Sequence, residues 1–343
     1  MWRIIGQDGI VSLLSRSLEK DNLSHAFLIT GPSHVGKMTL AINIAQAINC
    51  GNADSPCDEC DSCLKIKQGK HADVQVISLA SGSDEEEGKA RTEISIDDIR
   101  QMKHTVSLPP FEGKHRAYII EDAEYMSLEA ANCLLKTLEE PATEAVFILL
   151  TANASLIPET VASRCQTLSL NPMPAAQIAQ ALVAVYHVDS EQASILSRLS
   201  RGCFGWALSA AQDEKVLESY REKRGKVLEA MSASLDERFN YAGVLSTQFG
   251  KGRASVYEIL DIWLDVWRDV LLLRTGLGYI INNIDIEEAL MSWSDMLDIQ
   301  SILDTIRAIQ DAKEQLQMNA NSRLVLEVMM LDVPARMGNI VKR

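Results

Sequence analysis

The stretch His25-Ala-Phe-Leu-Ile-Thr30-Gly31-Pro-Ser-His-Val-Gly36-Lys37-Met38-Thr39-Leu40 decides the fold. The apolar run Ala26–Thr30 reads as a buried strand and stops at a glycine. After Gly36, Lys37 opens a segment whose Leu40, Ile44 and Ile48 share one helical face. Between strand and helix, glycines let backbone N–H groups curl around a phosphate, and the new helix adds its positive end. Lys37 would reach the terminal phosphates. The usual pattern continues with Ser or Thr to hold Mg²⁺, but Met38 stands there, and Thr39 is one residue late, turned by about 100° on a helix. The plain alternative is a glycine turn that merely joins the two elements.

Outward from that loop, Val74–Ser78, Ala117–Glu121 and Ala145–Thr151 are further short apolar runs, with helical patterns between most of them. Gln166–Leu170 is short enough to close a sheet. Strands interleaved with helices imply parallel pairing and helices on both faces. The segment Ser81–Glu93 is polar and acidic and reads as a loop. From Asn171-Pro-Met-Pro174 onward no strand alternation remains. Ala175–Tyr186, Ser190–Ser200 and Trp206–Asp213 predict a small helical domain, and Tyr257–Arg274 and Asp298–Leu316 predict longer helices after it. The expected boundaries are an α/β domain over 1–172, a helical domain over 173–214 and an all-α domain over 215–343.

Two carboxylates, Glu121 and Asp122, stand at the end of the third apolar run, the strand end where a phosphate-loop protein holds Mg²⁺ and activates water. Their order is the reverse of the common Asp-Glu, and Asp122 is a methylene short as a general base. A solvated acidic turn is the alternative. Cys50, Cys57, Cys60 and Cys63 stand in a polar, Asp-rich segment with the spacing C-x6-C-x2-C-x2-C. Four thiolates suit tetrahedral Zn²⁺ in a closed, structural site; an iron–sulfur cluster is the alternative. Cys133, Cys165 and Cys203 lie far away in sequence and read as packing residues. Ser163-Arg164-Cys165 places an arginine at a strand edge, where its planar charge could face a phosphate or simply form a surface ion pair.

Composition narrows the partners. The chain has 343 residues, with 33 Lys and Arg against 47 Asp and Glu, a formal net charge of −14. Such a chain is repelled by nucleic-acid backbones, which argues against stand-alone DNA binding. The most apolar helical stretch, Tyr257–Arg274, is interrupted by Asp261, Asp265, Arg268 and Asp269, so no membrane span is expected. The first residues lack a signal-peptide layout, and a cytoplasmic protein is expected.

Taken together, these residues resemble the clamp-loader branch of the AAA+ family. The matches run in order: Ile5-Gly6-Gln7, His25 to Gly31, the phosphate loop, the four-cysteine insert, Asn132-Cys-Leu-Leu-Lys-Thr-Leu-Glu-Glu-Pro141, and Ser163-Arg164-Cys165. Arg201-Gly202 with Gly205 resembles a lid's second sensor region, and Asn319-Ala-Asn-Ser-Arg323-Leu-Val-Leu-Glu327 the last long helix of a collar. The resemblance implies an AAA+ domain with a zinc insert at 50–63, a lid and an oligomerising collar. It also implies ATP with Mg²⁺ as the nucleotide, at Gly31, Gly36, Lys37, Thr39, Glu121 and Asp122. Arg164 becomes an arginine finger acting on ATP held by a neighbour. The partners implied are clamp-loader subunits of the gamma/tau and delta kinds in a hetero-oligomeric ring, with the sliding clamp and primed DNA in the assembly. Met38, the inverted Glu121-Asp122 pair and Gly205 or Trp206 in place of a sensor arginine imply a non-hydrolysing subunit. The alternative is the ATP-hydrolysing gamma/tau type. The first sensor falls near Ala152 or Asn153.

Overall fold

The computed structural model describes residues 2–20, 22–79, 93–141 and 144–334. Apart from Glu93, the acidic segment 81–93 lies outside the described residues. Five strands, β1 (Ala26–Thr30), β2 (Val74–Ile77), β3 (Arg116–Ile120), β4 (Ala145–Thr151) and β5 (Gln166–Ser169), pair in the order β2-β3-β4-β1-β5. Every pairing is parallel, with Thr30 opposite Thr151 on one side and Ser169 on the other. The expected α/β sheet is therefore present, each strand within a residue of its predicted ends. β1 and β4 are buried at every position, as central strands of a sheet covered on both faces must be.

Successive strand residues feed opposite cores. Leu28, Phe147, Leu149, Tyr118 and Ile120 face one cluster, which includes α4 (Ile96–Val106) and α5 (Leu128–Glu139). Phe27, Ile29, Ile119, Ile148 and Leu150 face the other, with α1 (Asp8–Glu19) and α2 (Lys37–Asn49). A short α3 (Asp61–Lys67) carries part of the cysteine insert, and α6 (Glu159–Ala162) precedes β5.

Two compact units divide the chain. The first comprises Met1–Ile178 with Gly202–Trp206, the second Ala179–Arg201 with Ala207–Arg343. The elements after the sheet are helical: α7 (Ala175–Tyr186), α8 (Ser190–Leu199), α9 (Phe204–Gln212), α10 (Glu214–Ser232), α11 (Leu235–Lys251), α12 (Arg253–Arg274), α13 (Glu287–Met296), α14 (Ile299–Gln317) and α15 (Ser322–Asp332). In the second unit α12 is the hub, burying Trp263, Val266, Trp267 and Val270 against its neighbours.

Two of the charges that interrupt α12 turn inward rather than to solvent. Asp269 is fully buried and accepts hydrogen bonds from the backbone N–H groups of Asn282 (3.0 Å) and Asn283 (2.8 Å) and from the Asn283 side chain (2.8 Å). A buried carboxylate satisfied in this way pins the 276–286 connection to the helix. Among the described residues no helix is long and apolar enough to cross a membrane.

Candidate functional site

Because the sheet is parallel, the chain leaves β1, β3 and β4 at one edge, which gathers Gly31, Glu121-Asp122 and Ala152-Asn153 there. Gly31 has φ 146° and Gly36 φ 111°, backbone that side-chain-bearing residues avoid. A Cβ on Gly31 would also lie 2.6 Å from the Leu170 carbonyl oxygen. Lys37 folds back into its own loop, donating to the carbonyls of Gly31 (2.7 Å) and Pro32 (3.0 Å). Burial lowers its pKa, while Glu124, Asp122, Cys203 and Glu121 pull it upward. Partial burial pushes the Glu121 and Asp122 carboxyls above their usual range; the Asp122 charge adds to the effect at Glu121, and Lys37 opposes it at both.

Met38 is half-buried and packs against the apolar cluster that includes Ile29 and Leu40, as do Trp2 and Ile4, and Thr39 is exposed. The segment Gly202–Trp206 closes over the loop: the Gly205 N–H donates to the His34 carbonyl at 3.0 Å. A Cβ at position 205 would stand 2.6 Å from that oxygen, so glycine is what this approach requires.

Glu124 belongs to this group, although its spacing alone did not single it out. One carboxylate oxygen accepts from the Ala152 N–H at 3.0 Å, while the other is buried without a hydrogen-bond partner. It is also the largest of the charges raising Lys37. Its position follows from the turn Ala123–Tyr125 after the acidic pair, with Asp122 at φ 53°. Asn153 uses its side-chain oxygen to accept from the Ser155 N–H and hydroxyl, at 3.1 and 2.7 Å.

The four cysteines converge. Their sulfurs lie within 4.8 Å of one another, with Cys50–Cys60 at 4.0 Å and Cys57–Cys63 at 3.9 Å. A tetrahedron with Zn–S bonds of about 2.3 Å has edges of about 3.8 Å, so the spacing fits a four-coordinate thiolate site. The N–H groups of Glu59 and Cys60 draw the Cys57 thiol pKa down, whereas burial pushes Cys63 up. A cation at the centre would favour the thiolate form of all four.

Arg164 lies elsewhere. It lies two residues before β5 begins, whereas the phosphate loop follows β1, so the two sit at opposite edges of the sheet, separated by roughly 15 Å of strand. Its guanidinium donates to Glu139 at 3.0 and 2.6 Å and to the Thr160 carbonyl at 2.8 Å, with 36% of the side chain exposed.

Residues 6–174 match the family described as DNA polymerase III, delta subunit. The chain is 28% identical over 327 residues to DNA polymerase III subunit delta' of Bacillus subtilis, covering 95% of both chains. It is also 28% identical over 357 residues to subunit tau of the same organism, covering 96% of this chain but spanning only 60% of that relative's length. Among solved structures, a gamma subunit-related protein of Thermotoga maritima aligns over 94% of this chain and 97% of its own, at 18% identity and a TM-score of 0.38.

Proposed function

The chain belongs to the DNA polymerase III delta-subunit family, and from that premise we propose that it is a delta-prime-type clamp-loader subunit, one that does not hydrolyse ATP itself and lends Arg164 to a neighbour. The observation that carries this reading is the division of labour across the sheet. The chain's own loop has Lys37 turned onto its own carbonyls, Met38 packed against an apolar cluster and Gly205 where a sensor side chain has no room. Arg164 is held by Glu139 at the opposite edge, away from the chain's own phosphate loop. A guanidinium in that place can stabilise charge developing on a transferred phosphoryl group.

In this reading, residues 1–172 are the AAA+ domain, 173–214 the lid and 215–343 the collar that joins gamma/tau and delta subunits into a ring. The ring loads the sliding clamp on primed DNA in the cytoplasm, and this acidic subunit meets the DNA chiefly through its neighbours. Cys50, Cys57, Cys60 and Cys63 hold structural Zn²⁺, which lends the insert the stability that a core of its own would otherwise supply. ATP with Mg²⁺, where bound, lies at Gly31, Gly36, Lys37, Thr39, Glu121 and Asp122.

The hydrolysing gamma/tau-type reading is favoured by the retained glycines and Lys37 and by the similarity to tau. Single-turnover hydrolysis by the isolated chain separates the two. Mixing the chain with gamma/tau and delta subunits and measuring the mass of the product tests the assembly: a stable hetero-oligomer is expected, and no association contradicts the proposal.

A further inference from the structure

Asp58 sits in the cysteine knuckle between Cys57 and Cys60, at φ 66°. That left-handed turn lets its two ends face different ways: its N–H points at the Cys63 sulfur, and its carboxylate leaves the knuckle. One carboxylate oxygen accepts from the Gln46 side chain at 3.1 Å, and the other pairs with the Arg3 guanidinium. The same Gln46 nitrogen donates to the Cys63 carbonyl at 2.9 Å. Gln46 lies on α2, the helix that begins at the phosphate loop, and is only 1% exposed. Its amide oxygen accepts from Asn43 at 2.9 Å, and the Asn43 oxygen accepts from the backbone N–H of Arg3 at 2.8 Å. The chain Cys63–Gln46–Asn43–Arg3–Asp58 is thus a closed ring of hydrogen bonds and one ion pair. It joins the cysteine cluster, the phosphate-loop helix and the residues before α1.

Those first residues lie on the phosphate loop. A Cβ on Gly36 would meet Ile4 at 3.5 Å, and Trp2 and Ile4, like Met38, pack against the apolar cluster that includes Val35 and Leu40. Gln7 donates to the Asn171 carbonyl at 2.7 Å, which fixes the far end of the segment.

We propose that Arg3, Asp58 and Gln46 are positioning residues that couple metal loading at the four cysteines to the order of residues 2–7 over the phosphate loop. The coupling rests on the zinc reading. Asp58 holds its turn because metal-bound sulfurs fix Cys57, Cys60 and Cys63. Without the metal, the turn relaxes, the Arg3 guanidinium loses its anchor, and the segment over Gly36 loosens. In the other direction, the Arg3 pair and Gln46 stiffen the knuckle from outside, as partners beyond the ligands commonly do for metal affinity.

The test uses the whole chain with Zn²⁺ and a chelating dye, and elemental analysis first establishes the metal content. Amide hydrogen exchange of residues 2–7 is followed with metal bound and after its removal. Exchange there is expected to rise at least about tenfold on removal, while β1 and β4 stay protected. Arg3→Ala should raise exchange at residues 2–7 with metal still bound and hasten Zn²⁺ transfer to the dye by about tenfold. Arg3→Lys should restore much of both effects, which general destabilisation would not explain. Metal-bound protein whose residues 2–7 exchange alike before and after removal overturns the coupling alone. So does an Arg3→Ala variant that releases metal at the parental rate. A folded chain that takes up no metal overturns the coupling together with the zinc reading.

Discussion

Glu139 holds Arg164: a single carboxylate oxygen accepts from Nε at 3.0 Å and from a terminal guanidinium nitrogen at 2.6 Å. Glu139 ends α5 and Arg164 follows α6, so the contact joins two elements 25 residues apart. It fixes the direction of the guanidinium while leaving part of it open. Glu139→Ala is therefore expected to leave Arg164 present but unaimed. In a reconstituted ring, the steady-state rate of this variant should fall between that of the parent and that of Arg164→Ala. A rate equal to the parent's would show that the contact is only a surface ion pair, of the kind that contributes little.

The cysteine cluster predicts a stoichiometry. Elemental analysis should find one zinc per chain, and removing it should unfold the 50–63 insert locally while the sheet persists. Cys60→Ser should do the same, leaving far-ultraviolet dichroism nearly intact while protease cuts appear within the insert. Four freely reactive thiols in a folded, metal-free chain would count against the site.

Intrinsic hydrolysis should be feeble. Met38→Thr alone should not restore it, because the chain at Gly205 still bonds to the loop at His34. Lys37→Ala should abolish whatever nucleotide binding exists, measured by calorimetry, without altering assembly. Gly205→Ala forces a Cβ to within 2.6 Å of a backbone oxygen and should cost roughly 1–3 kcal/mol in urea unfolding. Turnover matching an ordinary P-loop ATPase would refute the non-hydrolysing reading.

Asp265 on α12 gives the second unit a pH dependence. Burial pushes its carboxyl from 3.8 up to about 7, and Arg201, with Nε 3.0 Å away but forming no hydrogen bond to that oxygen, only partly opposes this. The folded pKa exceeds the unfolded one, so between these values the folded state binds more protons. Stability from this group is then present below about pH 4 and lost as pH rises through 7. Urea midpoints measured from pH 4.5 to 7.5 should decline more steeply for the parent than for Asp265→Asn. Parallel curves would remove Asp265 as the cause.

What the sequence made legible was local and periodic. Ala26–Thr30 and Ala145–Thr151 announced buried strands because all their positions are apolar or Thr, and Cys57, Cys60 and Cys63 announced a metal knuckle by close spacing. The fate of Asp265 and Asp269 was not legible. A charge every few residues looks the same whether it faces solvent or a buried Asn283. Nor was the contact between His34 and Gly205, residues 171 apart that meet only through folding. Glu124 lay in plain view within the acidic run, but its bond to Ala152 depends on β3 and β4 being neighbours. The partnership of Asp58 with Arg3 is hidden for the same reason.

The central claim is that Arg164 serves a phosphate bound by another subunit, and one measurement reaches it directly. A ring carrying Arg164→Ala is assembled with gamma/tau and delta subunits, and DNA-stimulated ATP hydrolysis and clamp loading are followed beside the parent ring. A finger acts on charge that develops in the transition state, so ring mass and ATP affinity should be unchanged. Chemistry at the neighbouring site should slow by about 10³-fold, clamp loading should fall with it, and Arg164→Lys should not rescue fully. If the Arg164→Ala ring hydrolyses ATP and loads clamps at the parental rate, Arg164 is a structural residue and the trans-acting role is wrong.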